Sequence, residues 1–441
     1  MANMNRRNVL KLVGGSATFA KAGGMAGILV SARAPAYAQT TTVHWLRWND
    51  FVPAADQTLR ELLPEAEKAL GIKVNFERVG LNDLQARLTS AIQSGAGADI
   101  VMLFNNHPHL YAASSVDLSD LAEAVGKEQG GYYPSAKGNC HDGKRWIGLP
   151  TCIIGVMNAY RKSWFDEVGA TKFPETWDQH REVGKKLKAK GRPLGQSLGQ
   201  SVGDPVIFTY PLLWSFGGKE VESDGKTVAI NSKQTIDAIK FMTAFWKEAH
   251  DEGGFAWDDS NNNRAFLSGT ISCTLNGASI YIEALRKPDQ YKTEKGEQMK
   301  NDILHAPLPS GPVGQFGMHV QHSHIVPTYS KNQKAAKELL TWFHAKPNYD
   351  KWFRTAKGFY SGVTTEWESN SMWQEDAVML PYKVAGRLGQ LPGYPGPTGP
   401  KPAEVLTKYV IVNMFARAAQ GRNTAEEAAA LAEKELKQIY G

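Results

Sequence analysis

The sequence predicts an α/β protein built as two domains. Three observations predict this. The chain has 441 residues, more than one small core organises. Strand-like and helix-like segments alternate from residue 42 onward. An extended apolar stretch, "RWIGLPTCIIGVMNAY" at 145–160, is long enough to leave one domain and enter a second. Hydrophobic residues make up 42% and charged residues 21%, the balance of a globular chain.

The first elements follow from periodicity. "TVHWLRW" (42–48) reads as a short strand. "ADQTLRELLPEAEKAL" (55–70) reads as a helix that Pro64 should kink or split and that Gly71 should end. "IKVNFERV" is a strand with Val74 and Phe76 on one face, and "LNDLQARLTSAIQSG" an amphipathic helix. "ADIVMLF" is a continuous apolar run, as in a strand buried on both faces. This β-α-β-α-β order predicts a parallel sheet with right-handed crossovers.

A second set follows. "KSWFDEVG" precedes a helix opened by "PETWDQ", where Thr176 and Gln179 have capping-box spacing. "ISCTLNGA" reads as strand and turn, and "HSHIVP" as strand. Ser330 with Gln333, and Thr424 with Glu427, repeat the capping-box spacing before two later helices. "LPGYPGPTGPKP" (391–402) is a Pro/Gly-rich segment, read as an ordered crossover in preference to a linker, since few residues follow it.

The N-terminus has a basic start, a Gly/Ala-rich middle and Ala36-Tyr37-Ala38, the pattern of a cleaved signal peptide over residues 1–38. "RRNVLK" resembles a twin-arginine export signal, and Gln39 is the expected first mature residue. Lys21 and several glycines interrupt any run long enough to span a membrane. The leader holds Arg6, Arg7, Lys11, Lys21 and Arg33 and no acid, so the overall charge of +6 leaves a nearly neutral body. That argues against a nucleic-acid footprint, which needs clustered positive charge. Cys140, Cys152 and Cys273 contain no C-x-x-C, which disfavours a zinc knuckle. Cys140 and Cys152 are the pair a short loop could join, but three buried thiols are the preferred reading.

Ligands of open α/β sheets sit beyond the carboxyl ends of strands. That rule selects Trp45, Arg47 and Trp48, then Asn105 and Asn106, then Asn276, then Gln321 to His324 including His322. Strand alternation puts Trp45 and Arg47 on one face and His44, Leu46 and Trp48 on the other. Trp48 is therefore the better cleft residue; for Trp45 core packing is the equal alternative. Trp214 and Tyr360 are candidate cleft and lid aromatics, with core and loop packing as their alternatives. Aromatic platforms beside planar amide or guanidinium partners suit a sugar, with its apolar C–H face and polar rim. On this reading Trp48→Ala weakens binding without unfolding the chain.

Other motifs carry less. "HPH" (107, 109) and "HSH" (322, 324) could offer paired imidazoles to a metal, but no partner set with zinc spacing surrounds them. "GQSLGQSVG" holds G-x-S-x-G twice, without the strand and helix that a nucleophile elbow needs. "DSNNNRAFLSGT" imitates a calcium loop but has Arg264 and Thr270 where glycine and glutamate belong.

"GVMNAYRKSWFDEVG…FPETWDQ", "RAFLSGTISCTLNGAS", "HIVPTYSKNQKAAKELLTWF" and "ARAAQGRNTAEEAAALAEKEL" occur in an order that resembles the extracellular solute-binding proteins of ABC importers, family 1, the maltose-binding-like group. The resemblance implies a two-lobed periplasmic-binding-protein fold, each lobe a mainly parallel sheet flanked by helices, with hinge crossovers. It assigns 39–150 and 316–360 to one lobe and 151–315 and 361–441 to the other. It further implies a monomeric periplasmic protein, without cofactor, metal or catalytic residues, that delivers a carbohydrate to the transmembrane subunits of a permease. The alternatives are a secreted glycoside-active hydrolase, which would need two opposed cleft carboxylates, and a binder of a phosphorylated polyol or a cationic solute.

Overall fold

A computed structural model describes residues 41–387 and 389–441. The leader and its export motif lie outside the described residues. Nine strands order the described residues: β1 (Thr42–Trp48), β2 (Lys73–Val79), β3 (Ile100–Phe104), β4 (Leu149–Ile154), β5 (Met157–Arg161), β6 (Cys273–Asn276), β7 (Ile303–Ala306), β8 (Val320–Ile325) and β9 (Tyr360–Ser361). They form a six-stranded sheet, β2-β1-β3-β8-β4-β9, and a three-stranded sheet, β6-β5-β7.

The parallel pairing expected of both sheets is confined to β2-β1-β3. β8 and β4 join antiparallel, and the second sheet is antiparallel throughout. β1, β2 and β3 follow one another through strand–helix–strand crossovers and pair directly, which makes them parallel; β6 and β7 are also joined through a helix but lie on either side of β5, which runs against both. β3 is buried along its whole length, as its unbroken apolar run requires. β2, at the sheet edge, alternates exposed and half-buried residues.

The helix Pro53–Leu70 continues through Pro64 and is not split there. Leu62, Leu63 and Ala66 on either side of the proline are buried and hold that turn against the sheet. Gly71 ends it at φ 67°, the left-handed conformation glycine adopts without strain. Two predicted capping boxes form, at Thr176 with Gln179 and Thr424 with Glu427. The third does not. The helix Gln333–His344 starts after Asn332, and Ser330 instead donates to Asp99 at 2.6 Å and accepts from the Asn332 amide. The hydroxyl's proton goes to the buried Asp99 carboxylate and its acceptor role to the Asn332 amide, so it is not used as the cap of this helix.

The chain passes from the first sheet to the second through Gly155 and Val156, between β4 and β5. A Cβ on Gly155 would lie 2.8 Å from the Tyr382 ring and 2.9 Å from the Ala385 methyl, so only glycine fits this crossing. All three cysteines are free, buried thiols. Residues 391–402 are an ordered crossover. Tyr394 packs on Trp214, while Thr398 accepts a hydrogen bond from Asn106. Among the described residues no helix is long and apolar enough to cross a membrane.

Candidate functional site

The carboxyl ends of three strands meet in one place. Trp48 ends β1, Phe104 ends β3 and Ile154 ends β4, and Val320 opens the antiparallel β8 beside them. Facing them are Asp204 and Ile207 of the helix Asp204–Ser215, Asp259, and Asn276 at the end of β6. Together they line a slot between the two sheets with about 390 Å³ of empty space. Trp48, Phe104, Ile154 and Val320, which line it from the first sheet, are all buried, so the slot is narrow.

Its walls are aromatic. Phe51 meets Trp48 edge-on, with centroids 5.0 Å apart at 75°, and Phe104 does so at 5.7 Å and 79°. Phe359 lines the slot as well. The Trp48 ring is 1% exposed, and its indole N–H has no hydrogen-bond partner.

The polar groups of the slot are carboxylates and an amide. Asp259 accepts from the amides of Gly203 (2.9 Å) and Asp204 (2.7 Å), which anchors the start of the helix Asp204–Ser215. Asp204 accepts from Asn262 at 2.6 Å through Oδ2. Burial, then the neighbouring Asp259, hold the Asp204 carboxyl well above the ordinary carboxylate range. Burial raises Asp259 too. The Asn276 side chain donates to Asn263 and accepts from Ser279 at 3.2 Å. Asn263, Ser279, Ser260 and Tyr291 line a wider, more open recess of about 810 Å³, and Phe51 borders both spaces.

Of the nine residues selected from the sequence, the structure brings two into the slot, Trp48 and Asn276. The others surround it. Asn105 takes φ 47°, and its backbone and side chain clamp Gln321 (N to O 2.8 Å; Oδ1 from the amide 3.1 Å). Asn106 donates to Thr398 at 3.2 Å. Trp214 sits at the far end of its helix from Asp204, against Tyr210, Phe316 and Tyr394. His322 lies behind Trp48 (5.0 Å) and contacts the Cys152 sulfur through Nδ1 at 3.3 Å. Tyr360 stacks on Trp352 at 4.6 Å, and its hydroxyl donates to Asp50. Burial, with Asp56 nearby, raises the Asp50 carboxyl to about 7.

Trp45 and Arg47 occupy the opposite face of β1 from Trp48. Trp45 packs edge-on against Phe76, His324 and Phe343. The Arg47 guanidinium is fully buried over the Trp45 and Trp352 rings (5.8 and 5.4 Å), and none of its three nitrogens has a hydrogen-bond partner. A desolvated cation without an acceptor is costly. Arg47→Met, which keeps the length and the ring contacts, is therefore expected to stabilise the fold by about 1–4 kcal/mol. Urea unfolding of the two proteins checks this, and a lower midpoint for the variant would count against it.

Sequence reasoning missed Phe51, Phe104 and Phe359, and left Asp204 and Asp259 without an assigned pairing. The strand-end rule landed one residue late at β3, choosing Asn105 in place of Phe104. Tyr360, chosen as a lid aromatic, stands one residue past Phe359, which lines the slot. No group of three or more histidine, cysteine, aspartate or glutamate side chains that could hold a metal occurs among the described residues.

A slot closed from two sides by separate sheets, with a glycine-limited crossing between them, is how a protein encloses a small solute. The sequence profile of the bacterial extracellular solute-binding proteins matches residues 52–348, two thirds of the chain. The chain belongs to the bacterial extracellular solute-binding proteins. A binding protein of Brucella abortus is 25% identical over 289 residues, 64% of this chain and 66% of that relative, so this solute-binding protein spans just under two thirds of it. Among solved structures, the maltose-bound T. maritima MalE3 superposes with a TM-score of 0.74 at 20% identity, covering 90% of this chain and 100% of that one. An ABC transporter solute-binding protein from Thermotoga lettingae, bound with α-D-tagatose, gives 0.76 at 19% identity, covering 91% and 100%. At these identities the likeness establishes the two-lobed fold of this solute-binding protein.

Proposed function

We propose that this chain is the periplasmic substrate-binding component of an ABC importer. It captures a sugar or sugar-like polyol between two lobes and hands it unaltered to a membrane permease. The observation that carries this reading is the slot itself: Trp48 and Phe104 on strand ends of one sheet face Asp204 and Asn276 beside the other. A solute touching both sides favours the closed arrangement over the open one, a population shift driven by differential contacts. The Trp48 ring offers an apolar surface and an unpartnered N–H, and Asp204 and Asn276 offer hydrogen-bonding groups, which suits a hydroxylated solute with an apolar face. The maltose and tagatose named for the two similar structures support that solute class. The lobes divide near residues 39–150 with 316–360 and 151–315 with 361–441, and the protein acts as a monomer.

Thermal-shift screening of the mature protein against a panel of sugars and polyols tests the reading. A binder raises the melting temperature because only the folded state takes it up, and small-angle scattering then reports a smaller radius of gyration. No shift across the panel, or recovery of a hydrolysed panel compound, would sink it.

A further inference from the structure

We propose that the solute carries a cationic nitrogen, as an amino sugar or amino polyol does, and that this nitrogen is held among Trp48, Phe51 and Phe104 against the Asp204 carboxylate. The inference rests on the solute-binding reading above and narrows its substrate class.

Charge balance is the first observation. Asp204 and Asp259 line the slot, and no lysine, arginine or histidine lines it with them. Among the described residues neither carboxylate has an ion-pair partner. The groups facing Asp204 are Asp259, Asp258 and Asn262, all acidic or neutral, and Tyr409 lies near Asp259. Asp259 spends both oxygens on backbone amides. Asp204 uses only Oδ2, which leaves Oδ1 to meet a solute. A neutral sugar would leave this carboxyl either protonated or as an uncompensated buried charge, whereas an ammonium group would pair with it.

Ring geometry is the second observation. A flat pyranose stacks best on one broad open face. Here Phe51 and Phe104 stand at 75° and 79° to Trp48, so the rings form perpendicular walls. Such walls suit a compact ammonium or methylammonium group, which several ring quadrupoles attract at once. The narrowness of the slot points the same way. The third observation is the buried, unpartnered Trp48 N–H, a donor that asks for an acceptor. A hydroxyl beside the nitrogen supplies one, and the amide and hydroxyl groups of the outer recess serve the rest of a polyol.

Matched probes test this by titration calorimetry on the mature protein: glucosamine against glucose and N-acetylglucosamine, and N-methylglucamine against sorbitol. The cationic member of at least one set is expected to bind ten-fold or more tightly. In Asp204→Asn, and separately in Phe104→Leu, the cation-to-neutral affinity ratio should fall towards one, with melting curves confirming that each variant folds. Neutral members binding as well as or better than cationic ones overturns the inference and leaves the sugar reading standing. A cation preference that persists in Asp204→Asn overturns the assignment to Asp204. If no probe of either charge binds, both the inference and the sugar reading fall.

Discussion

Replacing Trp48 by alanine is expected to cost about 3–5 kcal/mol of stability and to lower solute affinity at least ten-fold. The ring is 1% exposed and is packed by Phe51, Phe104 and His322, which all meet it edge-on at 5.0 to 5.7 Å. Rings locked edge-on cannot collapse into the space an indole leaves, so the transfer loss and the cavity loss add. Folded domains have a margin of about 5–15 kcal/mol, so the variant stays folded at 25 °C and melts at a lower temperature. The affinity loss has a separate cause, the removal of an aromatic wall from the slot. Trp214→Ala is the control. It deletes an equally buried ring outside the slot, so it should lower the melting temperature by a similar amount and leave affinity unchanged. Equal affinity losses in the two variants would show that Trp48 acts only through stability.

Acidification from pH 7 to pH 5 is expected to lower the melting temperature steeply. Nine histidines of the described chain are held below their usual range, seven of them buried and two, His305 and His319, half-buried. Burial pushes His107, His305 and His319 down to about 4, and His180, His250 and His344 to about 3. It lowers His109, and takes His322 and His324 well below their usual range. In the unfolded chain each histidine protonates near 6.5, so below that pH the unfolded state binds more protons and is favoured. Each histidine loses roughly 1.4 kcal/mol per pH unit until its folded value is reached. Four buried carboxyls oppose this. Asp50 is raised to about 7 and Glu220 to about 8 by burial, and Asp204 and Asp259 are raised also. These keep their protons in the fold where the unfolded chain has shed them, so their contribution grows as pH falls from neutrality towards 4. Nine groups against four set the sign. A flat or rising melting temperature between pH 6.5 and pH 5 would refute the assignment of these imidazoles as neutral in the fold.

The sequence by itself determined the local elements and the class of fold. β1, β3 and the helix Gln333–His344 are written in periodicity, and Thr176 and Thr424 announce two helix starts, because those signals act over a few neighbouring residues. It also picked out Trp48, since the end of a strand places a side chain at the sheet's carboxyl edge whatever surrounds it. Tertiary structure alone decided the rest. Whether β8 runs parallel or antiparallel depends on where the chain returns from, and Ser330 abandons its helix for Asp99, which lies 231 residues away. The slot's acidic side is non-local in the same way. Asp204 and Asp259 are 55 residues apart, and neither carries a signal until the fold sets one beside the other's backbone. Their meaning is electrostatic, and a charge acts through the distances and the dielectric around it, neither of which is set until the two sheets close on a common slot.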